Sequence, residues 1–181
     1  MRELALHILD LIENSIRAGV SMICVTIEEN RKEDSLKIAV EDNGTGLPVS
    51  PDVATDPFFT TKAGKRVGLG LSLFRAAAEQ AGGGLTVGKS EYGGVSVVAK
   101  MGLSHIDRNP LGDLAATLSS VVCTNPHLDL WCRFCVEGRE HTVKVSDVVK
   151  ELKVGDCRGL TVARHFSEKI KAAISSLEVS A

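Results

Sequence analysis

Apolar residues recur at helical spacing over residues 3–18. Ala5, Ile8, Leu9, Ile12 and Ile16 form one stripe, the signature of a helix with one face packed on a core. Gly19 follows, where a glycine can end the helix in a left-handed conformation. The period then changes to two. Ile23, Val25 and Ile27 alternate with polar partners, as do Leu36, Ile38 and Val40. The charged stretch between them reads as a turn, so these two strands are expected to pair as a hairpin. A proline-bearing loop follows, holding Pro48, Pro51 and Pro57. The glycine-bearing stretch from Gly64 to Gly70 opens an apolar helix that runs to about residue 81. Strands over 85–91 and 94–100 are expected on either side of Gly93.

The pattern changes near residue 103. Asn109-Pro110 suggests an N-cap with proline at the first helical position, starting a helix that reaches about residue 123. A hairpin is expected over 129–136 and 140–145. Ser146 is a candidate cap for a short helix ending near Leu152. An amphipathic helix spans about 161–178, with Val162, Phe166, Ile170, Ala173, Ile174 and Leu177 on one face. That face is a core stripe or a surface for a partner. The expected organisation is an α/β unit over residues 1–102 and a small α+β accessory or partner-binding region over 103–181.

Composition narrows the classes. A net charge of −2 over 181 residues gives no broad basic surface for nucleic acid. No apolar run reaches the roughly 18–20 residues that span a bilayer, and Glu3, His7 and Asp10 interrupt the N-terminal apolar stretch, unlike a signal peptide. A cytoplasmic protein is therefore expected. Five cysteines are an odd number for a disulfide framework. Cys132 and Cys135 have the spacing of a metal pair, with Cys123, His127, His141 and Cys157 as further ligands. On a strand, however, a separation of three puts the two thiols on opposite faces, so small apolar core residues are the favoured reading.

Four motifs carry candidate chemistry. Asp10 and Asn14 lie one helical turn apart. An amide oxygen suits Mg²⁺, and a carboxylate can orient water. By itself this pair is also an ordinary solvated face. Asp42-Asn43-Gly44-Thr45-Gly46 follows a strand. Its carboxylate can accept from an exocyclic amine, and its glycines let a ligand approach the backbone. Alone, it reads equally as an Asn-Gly turn. Asp56-Pro57-Phe58-Phe59-Thr60-Thr61-Lys62 places a cation beyond two aromatic anchors. Gly64, Gly68 and Gly70 put exposed N–H groups at a helix start, a place suited to anions.

In this order the four resemble the N, G1, F and G2 boxes of the ATPase superfamily of DNA gyrase, the 90-kDa heat-shock chaperone, histidine kinases and mismatch-repair proteins. The resemblance covers about residues 4–100. "DPFFTTK", "VGLGLSL" and "GGGLTV" look most like nitrogen-regulation sensor kinases, and "LIENSIRAG" like the mismatch-repair branch. The resemblance implies a two-layer α/β sandwich that binds ATP with Mg²⁺. It implies that Asn14 holds the metal and Asp42 reads the adenine amine. Gly44 and Gly46 would make room for the base. Thr61 and Lys62 would act from a lid, Gly68 and Gly70 would line the phosphates, and Ser96 would support the adenine through water. Val95 departs from the glycine usual before that last position. Asp10 stands where relatives have glutamate as general base. Aspartate is one methylene shorter, and a displacement of about 1 Å can cost roughly 100-fold in rate.

A complete sensor kinase carries a phosphoacceptor histidine on a helical segment before the N box, and here the box begins near Met1. His7 shares a helix with Asn14 and is expected to be an ordinary helix residue. One sheet edge is expected to need cover by something else; residues 103–181 could supply it, dock on the ATPase module, or bind a partner. The expected function is therefore a Mg–ATP-dependent kinase or switch working on a protein partner, such as a response regulator or a sigma-factor regulator, with a homodimer as a further option. The alternatives are a non-hydrolysing nucleotide sensor and a conformational ATPase of the mismatch-repair type.

Overall fold

The computed structural model describes residues 3–46, 69–153 and 159–180. Its elements, in chain order, are α1 (Leu4–Arg17), β1 (Met22–Asn30), β2 (Ser35–Asp42), α2 (Leu69–Gln80), β3 (Gly84–Lys89), β4 (Val95–Gly102), α3 (Leu114–Thr124), β5 (Asp129–Val136), β6 (Arg139–Lys144), α4 (Val145–Leu152) and α5 (Leu160–Leu177). The six strands form one sheet in the order β3-β4-β2-β1-β5-β6. The helices cover one face of it, which gives the expected two-layer α/β sandwich.

The period-two pattern set this geometry. Ile23, Val25 and Ile27 of β1 face the helices together with Ile38 and Val40 of β2, and all are buried. The two strands pair antiparallel, Ile27 opposite Ile38. In α1 the stripe has rotated slightly. Leu4, Ala5, His7, Ile8, Leu11 and Ile12 are buried, while Leu9 and Ile16 pack at the margin. The rotation arises because α1 is flanked by helices on both sides as well as by the sheet, which widens its buried arc. Gly19 ends the helix with φ +79°, and its N–H donates to Ile16 O at 2.9 Å.

The sheet does not stop where the sequence changes character. β5 lies parallel beside β1, Val25 opposite Cys132, and covers the edge that β1 would otherwise present. The other connections tighten this joint. Leu4 N and Ala5 N, two first-turn amides without helical partners, donate to Pro110 O and Leu111 O, both at 2.9 Å. Asp34, in the β1–β2 turn, accepts from Ser104 N and Ser104 Oγ, both at 2.9 Å. At the far end, Glu29 is buried and accepts from Ser180 N at 2.8 Å and Ser180 Oγ at 2.9 Å. One buried apolar cluster runs from Leu4 on α1 through Phe134 on β5 to Phe166 and Leu177 on α5.

Two helix starts differ from the sequence reading. The helix after Pro110 begins later, at Leu114, because Asp113 supplies the cap: its Oδ1 accepts from Ala116 N at 2.8 Å. At α4 the cap comes from across the fold. Asp129 Oδ1 accepts from Ser146 N at 2.9 Å, and Ser146 itself caps nothing. The two thiols of the Cys132–Cys135 pair do lie on opposite faces. Cys132 is in the core, and Cys135 lines the open face. Among the described residues, no group of three or more ligand-type side chains converges on a metal-sized space.

Candidate nucleotide site

Four elements meet at the carboxyl end of β2. Asp42 is the last residue of that strand. The alternation that buries Ile38 and Val40 turns its side chain towards the helices, where only 5% of it is exposed. A buried carboxylate is costly unless its oxygens accept hydrogen bonds. Oδ1 accepts from the backbone N–H groups of Gly44 and Val95, both at 3.0 Å. Oδ2 accepts from the Ser15 hydroxyl at 2.6 Å. A carboxylate has about four acceptor positions, so among the described residues one position, on Oδ2, is left for a further donor.

Close packing keeps this group in place. Gly94 donates its N–H to Asp42 O at 3.1 Å, and a Cβ there would overlap Asp42 Oδ1 and Gly44 N. A Cβ on Gly44 would come within 3.0 Å of Val20 Cγ1 and 3.1 Å of Asp42 Oδ1. Gly46, at φ +88°, has no described residue within 4 Å of where its Cβ would be. Asn43, between them, is a structural residue. Its Oδ1 accepts from Ser21 N at 3.1 Å and Met22 N at 3.0 Å, which ties the start of β1 to the end of β2.

The other half of the site lies along α1. Asn14 is exposed one residue before Ser15, and its Oδ1 accepts from Arg17 Nη2 at 2.6 Å. Asp10, one turn earlier, is half-buried against the start of α2. A Cβ on Gly70 would lie 3.2 Å from Asp10 Cβ and 3.3 Å from Asp10 Oδ2, so glycine there lets the two helices approach closely. One turn further back His7 is buried and stacks on Phe74 of α2, ring centres 5.1 Å apart. Neither ring nitrogen has a hydrogen-bond partner among the described residues. Burial pushes its pKa down to about 4, so His7 is a neutral packing residue of this helix seam.

Asp10, Asn14, Asp42, Gly44, Gly46 and Gly70 are thus brought to one end of the sandwich. Thr61, Lys62 and Gly68 lie outside the described residues. Ser96 does not join the group. The alternation of β4 turns it to the open face of the sheet, where it lines a hollow of about 470 Å³ with Thr26, Glu41 and Lys89. The neighbouring amide, of Val95, is the group of β4 that reaches Asp42. Sequence reasoning missed Ser15 and Gly94. Ser15 shows only as a hydroxyl beside the Asn14 amide, and Gly94 reads as part of a turn.

The donors and acceptors suit a purine nucleotide with its metal. One buried acceptor remains for an exocyclic amine, the glycines leave room for a flat group, and Asn14 and Asp10 offer hard oxygens of the kind Mg²⁺ prefers.

Comparison with known proteins identifies the family. Residues 2–105 match the family described as histidine kinase-, DNA gyrase B- and HSP90-like ATPases. A putative NtrY-like sensor histidine kinase from Rickettsia bellii is 27% identical over 109 residues, covering 59% of this chain and 17% of that protein. This chain therefore spans about a sixth of that relative's length. Among solved structures, the ATP-binding domain of PrrB from Mycobacterium tuberculosis is 25% identical, with a TM-score of 0.43 over 54% of this chain and 64% of that one. The N-terminal domain of a DNA repair protein is 13% identical, with a TM-score of 0.49 over 79% of this chain and 52% of that one. With the family match spanning more than half of its length, the chain belongs to the histidine kinase-, DNA gyrase B- and HSP90-like ATPases.

Proposed function

We propose that this protein binds Mg–ATP in the cytoplasm and acts on, or through, a protein partner, as a kinase or an ATP-driven switch related to sensor histidine kinases. The observation that carries the reading is Asp42: a buried carboxylate with three fixed donors and one acceptor position to spare. In this reading Asp42 accepts the adenine amine, and Gly44, Gly46 and Gly94 keep the space beside it clear. Asn14 and Asp10 hold the metal end. Gly68 and Gly70 offer backbone amides to the phosphates at the start of α2, and Thr61 and Lys62 act from the lid. Bound Mg²⁺ supplies charge neutralisation of the phosphates. Residues 103–181 form the accessory region, completing the sheet and leaving helix surface for a partner.

A second reading, a nucleotide sensor that does not hydrolyse ATP, rests on Asp10. Its carboxylate is shorter than glutamate, and it has no hydrogen-bond partner among the described residues to orient it as a base.

Asp42→Asn keeps an oxygen on the amides of Gly44 and Val95 but puts an NH₂ donor where Oδ2 accepted, facing the incoming amine, and is expected to weaken ATP binding about 100-fold, the scale of a lost charged hydrogen bond plus an unpaired donor. Asn14→Ala is expected to bind ATP with little dependence on Mg²⁺. Both are read by titrating a fluorescent ATP analogue with and without metal. Asp42→Asn binding at wild-type strength would sink the site assignment. Radiolabelled ATP separates the two readings: label moving to a captured partner identifies a kinase, and Mg-dependent binding without transfer or turnover identifies a sensor.

A further inference from the structure

The three donors that hold Asp42 are not equivalent. Two are backbone amides, of Gly44 and Val95, and both reach Oδ1. The third is the hydroxyl of Ser15, which reaches Oδ2 at 2.6 Å from a helix 27 residues away in sequence. Oδ2 is also the oxygen with a free acceptor position. The amides on Oδ1 bias a torsion that is broad for an sp³–sp² bond, and Ser15, by taking one of the two acceptor positions on Oδ2, leaves a single direction open there among the described residues.

We propose that Ser15 is a positioning residue for the base. It holds Asp42 Oδ2 so that its free acceptor position points at the exocyclic amine of adenine, and it links that end of the site to Asn14, its neighbour on α1. This rests on the assignment of Asp42 as the base-reading group.

The test uses the whole chain and two nucleotides, a non-hydrolysable ATP analogue and the same triphosphate carrying purine, which lacks the 6-amino group. Wild type is expected to prefer the adenine nucleotide by about 10-fold, the worth of one hydrogen bond to a charged group. In Ser15→Ala, adenine affinity is expected to fall about 10-fold while purine affinity stays within about 2-fold, so that the preference disappears. Ser15→Thr keeps the hydroxyl and is expected to keep the preference. Ser15→Cys offers a weak donor at the same position and carries the comparison should the alanine variant not fold. Equal losses for both nucleotides would mean that Ser15 only supports the helix, and an unchanged preference in the alanine and cysteine variants would mean that Asp42 needs no help; either overturns the proposal. A wild-type chain that binds the two nucleotides equally, or binds neither, overturns the reading of Asp42 and the proposal with it.

Discussion

Asp42 and His7 show two ways of burying a polar side chain next to the same helix seam. Asp42 has three donors. Among the described residues His7 has none, and its ring contributes through its contact with Phe74. A buried imidazole without partners stays neutral, and its pKa falls from 6.5 to about 4. The consequence for stability has a definite sign. Between pH 6.5 and 4 the unfolded chain binds a proton at His7 and the native chain does not, so this residue lowers stability as pH falls through that window. By about pH 4 the loss amounts to roughly 3 kcal/mol, at 1.36 kcal/mol per pKa unit. Above pH 6.5 it vanishes. His7→Leu keeps the apolar contact and removes the titration. Urea denaturation of the two proteins from pH 4 to 7.5 should give a difference that grows steadily below pH 6.5 in favour of the variant. A constant difference would mean that His7 gains a proton partner in solution.

At the scale of elements, the faces of β5 decide which cysteines are accessible. Cys132 pairs with Val25 and is buried, and burial pushes its thiol pKa up. Cys135 is half-exposed on the open face, Cys123 is exposed on α3, and Cys24 is buried in β1. With Cys157 replaced by serine, because it lies outside the described residues, a maleimide should label Cys123 first and Cys135 next. Cys24 and Cys132 should react only as the protein unfolds. Labelling of Cys132 as fast as Cys135 would show that the β1–β5 register is wrong. The same parity was legible in the sequence, since a separation of three on a strand already puts Cys132 and Cys135 on opposite faces. The elements themselves were legible for a similar reason: each carries its own period. What the sequence did not reveal depends on pairs of elements. The Ser15–Asp42 hydrogen bond joins a helix to a strand end, and Gly94 is required by a side chain 52 positions earlier, so neither leaves a local pattern. The parallel pairing of β5 with β1 was hidden likewise, because β5 reads as half of a local hairpin, which it also is.

For the molecule as a whole, the family match ends at residue 105, but the sheet and its core continue. β1 is a central strand only because β5 lies on one side of it, and the first turn of α1 is capped by carbonyl groups at Pro110 and Leu111. A fragment ending at Gly102 would keep all four ATP-site motifs. It would also expose the full hydrogen-bonding edge of β1, an invitation to pair with another chain. The core side would suffer more. Phe134, Phe166 and Ile170 are fully buried, and each such side chain contributes about 1.5–3 kcal/mol of burial. Together they approach the whole stability of an ordinary domain, roughly 5–15 kcal/mol, before the apolar surface they cover on β1 and α3 is counted. The fragment of residues 1–102 is therefore expected not to unfold cooperatively as a monomer. Size-exclusion chromatography should find it self-associated, and urea should give a broad, shallow transition where the full chain gives one steep step. Mixing it with residues 103–181 should restore both the steep transition and ATP binding. A monomeric fragment with full cooperativity and full-strength ATP binding would show instead that the second half only decorates the nucleotide site.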